Sequence, residues 1–187
     1  MPWPTEHRLA SRERILISAG RLFTERGFAG VSIDQVMQDA GMTRGAFYAH
    51  FSSKKELYAA AIPVAAKQRV GDKPLSVNEL VKRYLSVEHV QGDGGGCPLA
   101  FLVTDIGQGD DQVRDAYTRV FRKLAGHIGA AQEQSPDAEA LRRAVLMIGG
   151  VAVARALSDT ELAADVLDAC CQGVLASVGK AEHESSR

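Results

Sequence analysis

The densest cluster of side chains able to do chemistry is the run Thr43-Arg44-Gly45-Ala46-Phe47-Tyr48-Ala49-His50. Phe47 is the apolar member that can turn to a core, which sends Arg44, Gly45, Tyr48 and His50 outward. An outward arginine can make a bidentate contact to guanine or grip a phosphate. A glycine lets backbone approach backbone, and a phenol and an imidazole can both bind phosphate oxygens. The other reactive residues form no comparable set. None of the five histidines stands at metal-binding spacing from a cysteine, a glutamate or another histidine. Adjacent Cys170 and Cys171, with Cys97 far away, suggest no disulfide framework. Cys97 follows a Gly-rich loop and precedes Pro98, so it stands at an expected helix N-terminus, where the dipole lowers a thiol's pKa. Nothing near it in sequence is an evident base, and catalysis is not expected.

Positioning those outward groups requires short helices with sharp ends, and the first 60 residues supply the punctuation. Ile15, Ala19, Leu22 and Phe23 share one helical face, and Arg26-Gly27 supplies a last-turn cation and a stop. Ser32-Ile33-Asp34-Gln35 is a capping box that opens a second helix through Val36, Met37 and Ala40. Gly41 ends that helix, and Thr43 is the expected cap of a third. Ser53-Lys54-Lys55-Glu56 reads as another capping box, opening a fourth helix through Leu57, Tyr58 and Ile62. Two short helices joined by Ala40-Gly41-Met42 make a helix-turn-helix, whose second helix enters the major groove of double-stranded DNA. Lys54, at the positive start of the next helix, is expected to reach a phosphate.

Charge agrees with this arrangement. Residues 1–60 carry eight basic and six acidic side chains, whereas the remainder carries fourteen and seventeen. The net charge of −1 therefore averages a basic head with an acidic body. Hydrophobic residues make up 45% but aromatics only 6%, a mixture that favours close-packed helices over a β-sandwich. The expected fold is all-α with about nine helices. A DNA-binding domain spans 1–60, and a second helical domain spans 61–187.

In the second half, helices are expected over 76–90, from Pro98 to about Gly107, from Asp111, from a Ser135-Pro136 start, and from the box Ser158-Asp159-Thr160-Glu161. Breaks are expected at 71–74 and 91–96. Lys180–Arg187 is expected to fray. Ala144–Ala154 is apolar nearly all round, so one face needs a partner. With Ala169, Cys170, Gly173 and Ala176 on the last helix, it suggests a homodimer through the last two helices, with Gly149 and Gly150 allowing close approach. Tyr84, Phe101, Asp105, Tyr117, Phe121, Met147 and Arg155 are candidates for lining a pocket for an unidentified small molecule. No apolar run is long enough to span a bilayer and no signal-peptide segment opens the chain, so a cytoplasmic location is expected.

Gly27-Phe28, Val31-Ser32-Ile33, Ala40 through Phe51 and Lys54-Lys55-Glu56-Leu57 together resemble the TetR family of repressors. The resemblance covers the first third of the chain closely. It implies DNA contacts at Ser32, Thr43, Arg44, Gly45, Tyr48, His50 and Lys54, and Ala49 departs from members with a large aromatic there. It also implies a two-domain helical subunit, dimerisation through the last two helices, and release from operator DNA by a small ligand; separately, no cofactor or metal is expected. Two alternatives accompany this reading. One is sensing of electrophiles or oxidants through Cys97, as a Gly-Cys pair opening a helix at this place resembles some members. The other is a repressor without small-molecule input.

Overall fold

The computed structural model describes residues 5–70, 75–91, 96–107, 110–129 and 136–185, and among them every regular element is a helix, with no strand. The order is α1 (Thr5–Arg26), α2 (Ile33–Asp39), α3 (Arg44–Phe47), α4 (Lys54–Val70), α5 (Val77–Tyr84), α6 (Val87–Gln91), α7 (Pro98–Phe101), α8 (Val103–Gly107), α9 (Asp111–Ile128), α10 (Ala138–Ala156) and α11 (Thr160–Ser185). The expected nine become eleven because two helices break. Leu85 leaves helical geometry at φ −94, ψ 57, and Leu102 does so at φ −109, ψ 4. Helix α11 continues to Ser185, beyond the expected fray at Lys180. The breaks expected at 71–74 and across 92–95 lie outside the described residues, as does Ser135.

Local caps explain most of the remaining boundaries. Ser76 and Glu79 close a reciprocal capping box on α5. Asp137 caps α10 by accepting from the Ala140 N–H, in place of the expected Ser135-Pro136 start. Asp159, rather than Ser158, caps α11, accepting from the N–H groups of Glu161 and Leu162.

Two apolar clusters form the core. The first joins α1 to α4 and reaches Leu102, Ile106, Val113 and Ala116. The second is built from α5, α7, α9, α10 and α11. Tyr117 and Val120 of α9 pack against both. The expected boundary at residue 60 falls inside α4, whose Ala61 and Ile62 still belong to the first cluster.

Helices α10 and α11 run antiparallel, since Arg143 meets Ser177 while Gly150 meets Cys170. Arg143 is buried and its charge is fully engaged: Nε donates to Ser177 Oγ at 2.9 Å, Nη2 to the Ser177 carbonyl at 2.6 Å, and Nη1 to the Ile128 carbonyl at 3.0 Å. One arginine thus ties α10 to the end of α9 and to the body of α11, with its donors satisfied as a buried cation requires.

The two glycines of α10 differ. A Cβ on Gly150 would stand 2.9 Å from Cys170 Sγ and 3.0 Å from Leu85 Cδ2, whereas one on Gly149 would meet nothing within 4 Å. Gly150 therefore belongs to the intrachain packing and not, as expected from sequence, to an outward face. Gly150→Leu is expected to cost the subunit about 1–3 kcal/mol through overpacking, whereas Gly149→Leu, on the outward face with Val145 and Val153, leaves the packing within the subunit unchanged. Chemical denaturation of both variants checks this; equal losses would contradict the assigned faces.

Candidate nucleic-acid interface

The interface is assembled by short-range chemistry. Ser32 Oγ accepts from the Gln35 N–H at 3.1 Å, while Gln35 Oε1 accepts from the Ser32 N–H at 2.7 Å. That box starts α2 and leaves the exposed Ser32 hydroxyl its own proton to donate. At the other end Gly41 takes φ +65, which a side chain rarely adopts. Arg14 reaches across from α1 and donates to the Ala40 carbonyl at 2.6 Å, capping α2. The chain then turns into α3, whose anchor is Phe47, with none of its surface exposed. Burying such a ring contributes about 1.5–3 kcal/mol, enough to fix the orientation of a four-residue helix.

With Phe47 inward, the candidate contacts face out. Thr43, Arg44, Gly45 and Tyr48 are all exposed. Thr43 is the N-cap residue by backbone geometry but makes no capping bond with its side chain, contrary to expectation. A Cβ on Gly45 would meet only Thr43 Oγ1, at 3.9 Å, so packing within the subunit does not require glycine there. Tyr48 is 61% exposed and rests edge-on against Phe47 at 5.1 Å rather than inside the core. His50 is half-buried, and its pKa is lowered first by burial and then by the Arg8 and Arg12 guanidinium groups. It is therefore mainly neutral at physiological pH.

Ser32, Arg44 and Lys54 come together along one open groove of about 410 Å³. Arg44 Nη1 pairs with Asp34 Oδ2 at 2.9 Å across the two helices. Lys54 departs from expectation. Its ammonium turns inward, donates to the Phe28 carbonyl at 2.5 Å and lies 4.2 Å from the centre of the Phe28 ring. Burial lowers its pKa, while the Asp105 charge opposes that shift. The physical reason is local: an aromatic face and a free carbonyl lie closer to the ammonium than solvent does.

Sequence reasoning did not single out the arginines of α1 by role. Arg8 donates to the Ala49 carbonyl at 3.1 Å, and Arg12 lies 5.1 Å from the centre of the Phe51 ring. Their i, i+4 spacing was the available signal, since it sets both on one face beside His50.

In the second half, five of the seven pocket candidates, Tyr84, Phe101, Tyr117, Phe121 and Met147, pack in the second cluster. Tyr117 donates to the Leu99 carbonyl at 2.8 Å, and its phenol is pushed up to about 12, first by burial. Phe101 lies under Arg155, whose guanidinium carbon is 3.6 Å from the ring centre. Asp105 faces the opposite way, toward Phe28 and Tyr58. Cys97, the thiol of the alternative sensing reading, is buried. Cys97 is 5% exposed, and its sulfur stands 3.0 Å from the Tyr84 hydroxyl. Cys170 and Cys171 are half-buried, and burial raises both of their pKa values.

A helix-turn-helix with an outward polar recognition surface defines a DNA-binding regulator. Comparison with known proteins agrees: residues 15–61 match the family model of bacterial regulatory proteins, tetR family. The chain is 42% identical over 50 residues to the uncharacterized HTH-type regulator YerO of Bacillus subtilis, covering 27% of this chain and 17% of that protein. It is 22% identical over 163 residues to the HTH-type regulator LmrA of the same organism, covering 75% of this chain and 84% of LmrA. A TetR transcriptional regulator of Chloroflexus aurantiacus superimposes with a TM-score of 0.65 over 94% of this chain and 97% of that one, at 22% identity. Over residues 15–61 the chain is thus similar to the bacterial regulatory proteins of the tetR family. Among the described residues no helix is long and apolar enough to cross a membrane.

Proposed function

We propose that the protein is a cytoplasmic, homodimeric repressor that holds a near-palindromic operator in double-stranded DNA and releases it when its C-terminal half takes up a small molecule. One observation carries the DNA-binding part: Thr43, Arg44, Gly45 and Tyr48 stand exposed on a helix anchored by the fully buried Phe47. Arg44 reads a base, and Ser32, Thr43, Tyr48 and His50 bind phosphates. The backbone closes on the DNA at Gly45, and Lys54 contributes positive charge from behind the groove. Two-fold symmetry places the half-sites roughly 34–36 Å apart or at a multiple of that spacing. The burial of Cys97 favours reversible ligand binding over thiol chemistry as the input. Tyr84, Tyr117, Phe121 and Met147 surround the region that would open for the ligand, with Phe101 and Arg155 at its edge. Catalysis has no part in this reading.

The test is recovery of genomic DNA bound by the purified protein, followed by sequencing. A shared inverted repeat is expected, and the neighbouring genes then indicate which compounds to try as releasing ligands. Fragments without a common motif would remove the operator-binding reading. An operator complex indifferent to every compound handled by its neighbouring genes would leave a repressor without small-molecule input.

A further inference from the structure

Asp105 is carried by α8, yet its carboxylate is spent on the DNA-binding half. Oδ2 accepts from the Phe28 backbone N–H at 2.8 Å and from the Tyr58 hydroxyl at 2.8 Å, across 77 and 47 residues of sequence. Phe28 lies in the link between α1 and α2, just after Gly27, which takes φ +71 to leave the first helix. A Cβ on Gly27 would come within 3.7 Å of the same carboxylate. Lys54 holds the other side of this residue by donating to the Phe28 carbonyl and covering its ring. The ring also packs against Tyr58 at 5.1 Å and Phe23 at 6.2 Å. The link that delivers the chain to Ser32 and α2 is therefore held on its N–H by the body and on its carbonyl by the start of α4.

The remaining contacts from α7, α8 and α9 to the DNA-binding helices are of another kind. Leu102, Ile106, Val113 and Ala116 supply apolar burial, which attracts without specifying direction. A second polar crossing, Lys55 to Asp110 at 3.5 Å, joins two solvent-accessible side chains and is weak. Hydrogen bonds to a carboxylate are directional and stronger than neutral ones. Asp105 thus makes a directional contact from α8 to the link that leads into α2.

We propose that Asp105 is a positioning residue that sets the angle at which α2 and α3 stand on the body, and thereby selects the half-site spacing the dimer accepts. The inference rests on the dimeric operator-binding reading above. An angular error in each subunit displaces its recognition helix along the groove, and in a two-fold dimer the two errors add. Loss of Asp105 should therefore loosen the choice of spacing more than the grip on one half-site.

The experiment uses the full-length protein and a randomised double-stranded DNA library from which the preferred inverted repeat of the wild type is selected. Synthetic duplexes then keep both half-sites and lengthen or shorten the centre by one or two base pairs. A further duplex carries one half-site alone. The wild type is expected to prefer the selected spacing by about tenfold or more, and Asp105→Ala to compress that preference to about threefold or less. Single half-site affinity should change by less than about threefold. Tyr58→Phe, which removes one donor and leaves the Phe28 bond, should compress the preference partway and covers the case of an Asp105→Ala chain that does not fold. An unchanged spacing preference in both folded variants overturns the proposal. So does a uniform loss at every spacing and on the single half-site, which is the mark of general destabilisation. A wild type that selects no inverted repeat, or ignores spacing, overturns the dimeric reading together with this one.

Discussion

Val145→Glu is expected to yield a folded monomer that no longer holds an operator. In one subunit Val145 is 61% exposed, and Val153, Leu141 and Leu146 lie exposed on the same helix, with Leu162 on the next. Five large aliphatic side chains on one helical pair fit the dimer face proposed above. The small residues of α11 fit it: Gly173 is exposed, and a Cβ there would meet only Leu146 Cδ1, at 3.9 Å. A glutamate at the centre would place two carboxylates in a dry symmetric contact, each without a partner. Losing the second recognition helix removes an effective-concentration gain of about 10²–10⁴ in operator affinity. Gly173→Arg is the companion variant, and both act from outside the subunit core. Sedimentation at micromolar concentration and operator titration check the result. A Val145→Glu dimer with wild-type operator affinity would sink this account of the interface.

The parts legible in the sequence are those set by neighbours in the chain. The Ser32–Gln35 box, the stop at Gly41 and the inward Phe47 depend on a few consecutive residues, and the structure has all three. Lys54 was read from the same local logic as a phosphate ligand at a helix start. Its actual partner, the Phe28 carbonyl, lies 26 residues away and could not be read from spacing. Asp105 followed apolar residues and looked like a polar group in a pocket, but what it meets is set by how α8 docks. A Cys97 open to reagents through the glycine loop before it belongs only to the alternative sensing reading. Burial depends on which residues cover a site, and Tyr84 does so here. The all-round apolar stretch of α10 showed that it must be covered without showing which residues face which way. Only the packing of Cys170 and Leu85 against Gly150 separates its inner from its outer glycine. Arg143, a buried cation joining α10 to α9 and α11, sits beside Arg142 in sequence and carries no local mark of its role.

Arg44→Ala is expected to abolish preference for the operator while sparing much of the weak, sequence-independent affinity. A bidentate arginine–guanine contact discriminates by about 1–3 kcal/mol, so two half-sites lose about 2–6 kcal/mol. In the free protein one Arg44 nitrogen is held by Asp34 at 2.9 Å, with both side chains more than half exposed. An exposed pair of this kind is worth at most about 1 kcal/mol, so it can yield to a base. Nη1 makes the contact with Asp34. Asp34→Ala separates two roles for that carboxylate. If Asp34 only repels phosphates, its removal should tighten specific and nonspecific binding together. If it also steadies the guanidinium against the base edge, nonspecific binding should tighten while the operator loses its advantage. Titrations of operator and scrambled duplex at physiological and raised salt distinguish these, because phosphate terms shift with salt and the base contact does not. Operator affinity of Arg44→Ala equal to wild type at physiological salt would show that α3 does not read the groove through this residue, and the docking of Thr43 to His50 described above would be wrong.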